Sequence, residues 1–267
     1  MRLSKDTDGY IKYLKNIKNE KRKVLVYQLL LLVGFIILWE ILANLKLINT
    51  FLFSKPSNIY HLFVTYIQNG ELLRHVGVSV YETILGLVIG TVLGILIAIA
   101  LWWSEKLSKI LDPFLVVLNA LPKTALAPII IVWAGAGISG IVVTAVTISV
   151  VVTILSAYNY FANVDEEKVK MLKSFGAKKS QILFKLIIPS NIGNLINLTK
   201  INIGMAWVGV IVGEFLVSRY GIGYLIVYGS QVFKLDLVMM GVFVLAFCAW
   251  VMYEILNIIE KIYNSRR

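Results

Sequence analysis

The 267-residue sequence contains few of the residues from which catalytic and metal sites are built. It has one cysteine, Cys248, which excludes an intramolecular disulfide. Its two histidines, His61 and His75, have no third ligand at metal spacing, which argues against a zinc site. No glycine-rich Walker loop occurs either, so any use of ATP must depend on another chain.

Charged residues are also scarce, and apolar residues take their place. Only 15% of the residues are charged and 58% are hydrophobic, against roughly 25% and 45 to 50% in soluble domains. Barrel strands need only about 10 residues, whereas the apolar runs here approach or exceed 20. The sequence therefore predicts an all-α, polytopic membrane protein with six transmembrane helices, in the runs Val24 to Leu45, Gly77 to Trp103, Ile110 to Ala134, Ile138 to Phe161, Ser190 to Val217, and Leu237 to Ile259.

The spans divide the chain into a basic N-terminal segment, 1–23, a six-span domain, 24–260, and a C-terminal tail, 261–267. The first 23 residues are polar and charged, so no cleavable signal peptide is expected. Nothing remains for a soluble catalytic domain, because the spans occupy more than half of the chain. Tyr10, Leu14 and Ile17 fall at helical spacing, which predicts a short interfacial helix, with disorder as the alternative.

Basic residues are distributed unequally between the two sides of the predicted bundle. With the loops assigned alternately, 19 of the 26 Lys and Arg residues lie on the side of both termini and five lie on the other. The positive-inside rule makes both termini and the loop 162–189 cytoplasmic. The basic N-terminal segment is more simply explained by anionic lipid in the bilayer than by nucleic acid.

The cytoplasmic segment 162–189, here called the elbow, predicts two short crossing helices. Asp165 is placed to cap the first helix, and Val169 and Leu172 share one face of it. Gly176 suits a left-handed C-terminal stop.

The second predicted helix of the elbow runs from Lys178 to Ile188 and ends at Pro189. Together the two helices would present an apolar ridge and a basic rim, a shape suited to docking in a groove of another protein. The alternative is a solvated loop helix that lies on lipid headgroups.

Three carboxylates fall within predicted spans: Glu40, Glu82 and Glu214. Each costs about 2.5 to 3.5 kcal/mol at a helix centre, so each should face a cavity or a cationic partner. Lys123 and Lys200 are the cations available inside spans.

Several spans are interrupted by small, polar or helix-breaking residues. Glycines at every fourth position of span two predict close helix packing: Gly86, Gly90 and Gly94. Span three carries prolines at Pro113, Pro122 and Pro128. Span five is the best candidate for the wall of a pathway, with interhelical hydrogen bonding as the alternative, because it carries Asn191, Asn194, Asn197, Lys200 and Asn202.

Taken together, these motifs resemble the permease subunits of bacterial ATP-binding-cassette importers of the nitrate, sulfonate, taurine and bicarbonate type. The resemblance covers most of the chain, from about Leu52 to Lys261. It is carried by Phe53-Ser54-Lys55-Pro56-Ser57, Leu111-Asp112-Pro113, Ala120-Leu121-Pro122, Trp133-Ala134-Gly135-Ala136-Gly137, Phe175-Gly176-Ala177, Gly204-Met205-Ala206-Trp207 and Gly221-Ile222-Gly223.

The resemblance implies the type I importer permease fold and a multi-pass subunit of the bacterial cytoplasmic membrane. It implies a homodimer of permeases, two ATPase subunits that bind ATP and Mg, and an extracytoplasmic substrate-binding protein. No cofactor and no covalent chemistry are then expected in this chain. The cargo would be a small organic ion or metabolite, such as a sulfonate, nitrate, taurine or a vitamin precursor.

Two sets of site residues follow. We expect coupling to the ATPase through Glu166, Lys170, Leu172, Phe175, Gly176, Ala177 and Pro189. We expect the translocation pathway to include Glu82, Asn119, Lys123, Asn202, Trp207 and Glu214.

The chain departs from the family pattern at two places. Lys170-Met171-Leu172 stands where the loop motif reads glutamate-alanine-alanine, which predicts docking with a different charge partner. Glu82 stands where the family commonly has arginine. If that position contacts substrate, a cationic or neutral metabolite is favoured over an inorganic anion.

Two other function classes remain open at this stage. A secondary transporter driven by protons would use Glu40, Glu82 and Glu214, and inverted repeats between the halves would favour it. A membrane-embedded enzyme would need convergent carboxylates or histidines in the cytoplasmic loops, where only Glu166 and Glu167 are paired.

Overall fold

A computed structural model describes residues 8–265, which form helices joined by short connections and contain no β-strand. The chain divides into two compact units, residues 1–62 and 63–267. Among the described residues, five helices are long and apolar enough to cross a membrane, and a bent pair makes a sixth span if it is counted as one.

The first unit contains a long helix, a helix of a single turn and the start of a third helix. Helix α1 covers Asp8–Asn44, α2 covers Thr50–Phe53, and α3, Pro56–Gln68, runs on into the second unit. The predicted interfacial helix is not separate, because α1 continues through it for 37 residues, about 55 Å. No proline or glycine lies between Tyr10 and Val24 to interrupt the helix.

The second unit contains the remaining helices. In chain order they are α4 (Glu71–Trp103), α5 (Glu105–Ala120), a 3₁₀ turn (Lys123–Leu126), α6 (Ala127–Ala134), α7 (Ile138–Ala162), α8 (Glu166–Ser174), α9 (Lys179–Ile182), a π-helical turn (Leu183–Ile187), α10 (Ile188–Val217), α11 (Ile222–Gln231) and α12 (Leu235–Ser265).

Predicted span three is a broken element. Helices α5 and α6 meet at 87° across a short break. Leu121 is extended there, with φ −67° and ψ 138°, as expected for a residue that precedes a proline. The predicted interruption is therefore present, and it turns the chain sharply.

Helix α7 lies at the centre of the second unit, between α4 and α10. A Cβ atom added to Gly86 would lie 2.7 Å from the Cβ atom of Ala145, so the glycine stripe of α4 lets two backbones approach closely. Gly209 of α10 meets the backbone of Ala145 in the same way. The prediction that the stripe is a packing surface agrees with these contacts.

The predicted end of the second elbow helix at Pro189 is wrong. The chain stays helical from Lys179 to Val217. The turn before the proline widens to π geometry, in which the Ile188 N–H bonds the Leu183 carbonyl five residues back. Proline lacks an N–H and crowds the carbonyl four residues before it, and a wider turn accommodates both effects.

Candidate functional site

The elbow begins with a well-capped helix. The Asp165 carboxylate accepts the Glu167 N–H at 2.9 Å, which confirms the predicted N-cap of α8. Glu166 and Lys170 form an exposed ion pair at 3.1 Å. Helix α8 therefore begins directly after Asp165, as predicted.

The end of α8 is a left-handed turn. Gly176 has φ +77°, and the Ala177 N–H bonds the Leu172 carbonyl at 3.0 Å, the pattern of a Schellman stop. Both features confirm the stop predicted at Gly176.

One face of the elbow packs on the helix bundle. Val169, Leu172 and Ala177 lie half-buried against an apolar cluster that includes Phe161 and Ile182. Leu172 and Ala177 therefore fasten the elbow to the chain's own core. Movement of α8 would be transmitted directly to the ends of α7 and α9.

The opposite face of the elbow is exposed and partly apolar. Phe175 is 80% exposed and Met171 is 52% exposed, beside the exposed cations Lys170 and Lys173. Pro189 is half-buried at the base. A groove of 480 Å³ runs alongside, between the elbow, the C-terminal end of α4 and the C-terminal end of α7.

Glu214, near the end of α10, is buried among hydrogen-bond donors. It is 1% exposed and accepts the Ser79 hydroxyl at 2.5 Å and the Gly223 N–H at 2.6 Å. Gly221 lies so close that any Cβ atom there would overlap the Glu214 carboxylate. The glycines after α10 thus make room for this carboxylate.

Glu82 is an ionisable neighbour of Glu214. It is 1% exposed, and its carboxyl group hydrogen-bonds that of Glu214. Its Oε2 atom has no hydrogen-bond partner among the described residues. Of the two predicted alternatives, a cavity or a cationic partner, neither Lys123 nor Lys200 supplies the cation.

The two span lysines have other partners. Lys123 donates to the Asn119 carbonyl at 3.1 Å, within the break between α5 and α6. Lys200 forms an ion pair with Glu260 of α12 and donates to Asn257 at 3.3 Å. Lys123 therefore bonds a residue one helical turn away in its own segment. Lys200 instead bonds residues of α12.

The remaining predicted pathway residues of α10 are buried. Asn202 donates to Thr91 at 3.0 Å and to Thr153 at 2.9 Å, so it joins α10 to both α4 and α7. Trp207 is 4% exposed, and its Nε1 atom has no hydrogen-bond partner in residues 8–265. Of the six predicted pathway residues, Glu82, Glu214, Asn202 and Trp207 face the chain's own helices, Asn119 is exposed and Lys123 is half-exposed.

Glu40 caps a helix in the first unit. Its carboxylate accepts the backbone N–H of Ser57 at 3.1 Å and the Ser57 hydroxyl at 3.0 Å, while Asn44 donates from one turn further on. The partner of this span carboxylate is thus the first turn of α3.

His75 contributes to the site and was not predicted to do so. Its Nδ1 atom accepts the Gly221 N–H at 2.9 Å, and its ring stacks on Tyr224 with centroids 5.8 Å apart. The spacing of His75 and Ser79, one helical turn apart on α4, is the sequence signal that would have indicated it. Within residues 8–265, no group of three or more His, Cys, Asp or Glu side chains has an arrangement that would hold a metal ion.

Residues 90–267 match the family described as "Binding-protein-dependent transport system inner membrane component". The matched residues include both the elbow and Glu214.

Named relatives align over most of the chain. SsuC of Bacillus subtilis (strain 168), named for the transport of aliphatic sulfonates, is 28% identical over 87% of this chain and 84% of its own length. The taurine transport system permease protein TauC of Escherichia coli (strain K12) is 22% identical over 80% of each. The formylaminopyrimidine transport permease protein ThiX of Halalkalibacterium halodurans is 26% identical over 70% of this chain and 74% of its own length.

Solved structures share the fold. A chain of the inward-facing MetNI methionine ABC transporter superposes with a TM-score of 0.57 at 16% identity, covering 71% of this chain and 97% of that one. A chain of an amino acid ABC transporter solved with histidines also gives 0.57, at 15% identity, over 77% and 98%. The fold predicted from the sequence, that of type I importer permeases, is confirmed.

Proposed function

The chain belongs to the family of binding-protein-dependent transport system inner membrane components, and on that basis we propose how it couples to ATP and what it carries. Two copies form the translocation pathway, two ATPase subunits dock on the cytoplasmic elbows, and an extracytoplasmic binding protein delivers the cargo. Both termini lie in the cytoplasm. The family's dependence on a binding protein also favours this function over a proton-driven transporter or a membrane enzyme.

The exposed face of the elbow carries this proposal. Phe175 is 80% exposed although it is large and apolar, and it lies at the tip of a capped, rigid turn. Aromatic residues in that setting are typical anchors for a pocket in a partner protein. Lys170 and Lys173 beside it offer cations to an acidic rim, consistent with the departure of Lys170 from the family's glutamate.

The inner face of the elbow explains how docking becomes movement. Val169 and Leu172 pack on the cluster around Phe161, so α8 cannot shift without moving α7. When ATP closes the two ATPase subunits, their grooves carry the two elbows together and the helix bundles rock from inward-facing to outward-facing. ATP hydrolysis reverses the movement, and the cargo leaves to the cytoplasm.

We place the pathway wall at the break between α5 and α6. Asn119 and Lys123 lie there at the surface of the chain, which makes them the predicted pathway residues able to contact cargo. Glu82, Asn202, Trp207 and Glu214 support that wall from within the bundle. Because Glu82 is buried, its departure from the family's arginine does not indicate a cationic cargo.

The cargo is a small organic molecule with an anionic group, which Lys123 would attract. Three relatives are named for aliphatic sulfonates, taurine and a formylaminopyrimidine, all small polar organic molecules. A sulfonate carries an anionic group and is also the cargo for which one of these relatives is named.

Uptake in a strain that lacks this gene tests the cargo and the pathway together. Labelled taurine, methanesulfonate and formylaminopyrimidine are supplied separately, with the wild-type chain or a variant restored. We expect uptake of a sulfonate to return with the wild type and with Lys234→Ala, an exposed control lysine, and to fall at least tenfold with Lys123→Ala. Equal uptake by both variants would remove Lys123 from the pathway.

A further inference from the structure

The first turn of α11 is capped entirely by side chains of other helices. The Gly221 N–H bonds His75, and the Ile222 N–H bonds the Ser79 hydroxyl oxygen at 2.7 Å. The N–H groups of Gly223 and Tyr224 bond the Glu214 carboxylate. The N–H groups that a helix start leaves unpaired are thus satisfied by α4 and α10.

The hydrogen bonds of Glu214 favour the ionised form of its carboxyl group. It accepts from the Ser79 hydroxyl and from two backbone N–H groups, and it shares a hydrogen bond with Glu82. The Ser79 hydroxyl is the donor in its contact, because its oxygen accepts the Ile222 N–H and its one hydrogen lies within reach of Glu214 Oε1. An ionised carboxylate accepts at several sites and donates at none, which fits every one of these contacts.

Glu82 has the complementary role. A hydrogen bond between two carboxyl groups needs a proton on one of them. Three further donors stabilise a negative charge on Glu214, whereas a charge on Glu82 would leave its Oε2 atom without a partner. Two adjacent buried carboxylates would also repel each other strongly, since no cation among the described residues reaches them. A neutral Glu82 leaves only one uncharged oxygen unpaired, the Oε2 atom, which costs far less than an unpaired charge.

We propose that Glu82 is a protonated positioning residue, whose hydroxyl holds the Glu214 carboxylate in place and through it the first turn of α11. The proton belongs to the resting structure and is not transferred in the cycle. Glu82, Ser79 and His75 lie on α4, so the network joins α4, α10 and α11 into one unit.

Helix α11, which this network holds, lies between two spanning helices. Helix α11 has 10 residues, about 15 Å, too short to cross a bilayer, and it connects the two spanning helices α10 and α12. With cytoplasmic termini, it lies on the extracytoplasmic side. This placement rests on the proposed function, whereas the protonation and the capping do not.

The test compares isosteric and non-isosteric variants of the full chain, purified in lipid nanodiscs without any partner. Hydrogen exchange is measured for the amides of residues 221–224. Glu82→Gln keeps a donor in place of the hydroxyl, so exchange should stay within about twofold of wild type. Glu82→Leu removes the donor, and we expect exchange to rise roughly tenfold or more.

Glu214→Gln supplies the contrast between the two carboxyl groups. Its amide nitrogen would face the donors that the carboxylate now accepts, so exchange should rise as in Glu82→Leu even though the side chain is isosteric. Faster exchange in Glu82→Gln, or failure of that variant to fold, would overturn the proposal, because a neutral isostere of a protonated acid must be tolerated.

Infrared spectroscopy gives a readout that loss of packing would not imitate. At neutral pH the wild type should show the carbonyl band of a protonated carboxylic acid, shifted in D₂O. The band should be absent from Glu82→Gln and retained in Glu105→Gln, which alters an exposed carboxylate. A band that persists in Glu82→Gln would contradict the assignment.

Discussion

Lys200 of α10 and Glu260 of α12 form an ion pair between two spanning helices, with 8% and 19% of their side chains exposed. Asn257 also contacts the Lys200 ammonium group, and the Tyr253 ring lies 5.4 Å from it. The pair holds the C-terminal half of α12 against the wall of α10.

Lys200→Met should destabilise the protein, because it leaves the partly buried Glu260 carboxylate without its cation. Breaking one side of a fully buried pair costs about 3 to 5 kcal/mol, and the cost should be lower for this partly buried pair. Thermal unfolding in detergent should show a clear drop for Lys200→Met, and adding Glu260→Leu should recover much of it. A double variant no more stable than Lys200→Met would show that the two residues are not coupled.

Gly221→Ala should disrupt the turn before α11. Gly221 has φ +117° and its missing Cβ atom would overlap the Glu214 carboxylate, so the cost combines backbone strain of about 1 to 3 kcal/mol with a clash. Gly77→Ala is the matched control, because nothing lies within 4 Å of its Cβ position and the residue is helical. We expect Gly77→Ala to unfold at or above the wild-type temperature. Equal melting temperatures for the two variants would contradict the proposed contact.

Gly176→Val should separate insertion from coupling. Nothing lies within 4 Å of the Cβ position of Gly176, so the effect comes from its φ of +77° alone, which a β-branched residue resists. The variant should reach the membrane normally and yet lose the ATPase on purification. Gly176→Asn, which tolerates this conformation, should retain it. Normal uptake by a stably expressed Gly176→Val variant would count strongly against docking through the elbow.

Cysteine labelling tests the orientation of the chain. In a Cys248→Ala background, cysteines at Ser4 and Ser174 should resist impermeant thiol reagents in intact cells, whereas a cysteine at Asn69 should react. We expect this pattern because the unequal distribution of basic residues predicts that both termini and the elbow face the cytoplasm. Labelling of the Ser174 position from outside would overturn the six-span topology.

The elbow could be predicted from the sequence because its determinants are local. The cap at Asp165 and the stop at Gly176 lie within a few residues of the backbone groups that they satisfy. The continuation of the helix through Pro189 could not be predicted. Proline is expected to end or kink a helix, and that expectation takes no account of a π turn before it.

The carboxylate network could not be predicted, since its partners are distant in sequence. Ser79 and Glu214 are 135 positions apart, and a single sequence does not say that they meet. Charge alone suggested lysine partners for Glu82 and Glu214. The structure instead satisfies Glu214 with hydroxyl and backbone donors and pairs it with a second carboxyl group.

Cross-linking from Phe175 tests the docking of the ATPase most directly. A photo-reactive amino acid at this position, in membranes from cells that express the whole transport system, should form an adduct with an ATP-binding-cassette ATPase, identified by mass spectrometry. The same probe at Asn69, on the predicted opposite side, should not. An adduct at Phe175 that contains only lipid, while the ATPase is present in the membranes, would contradict the proposed role of the elbow.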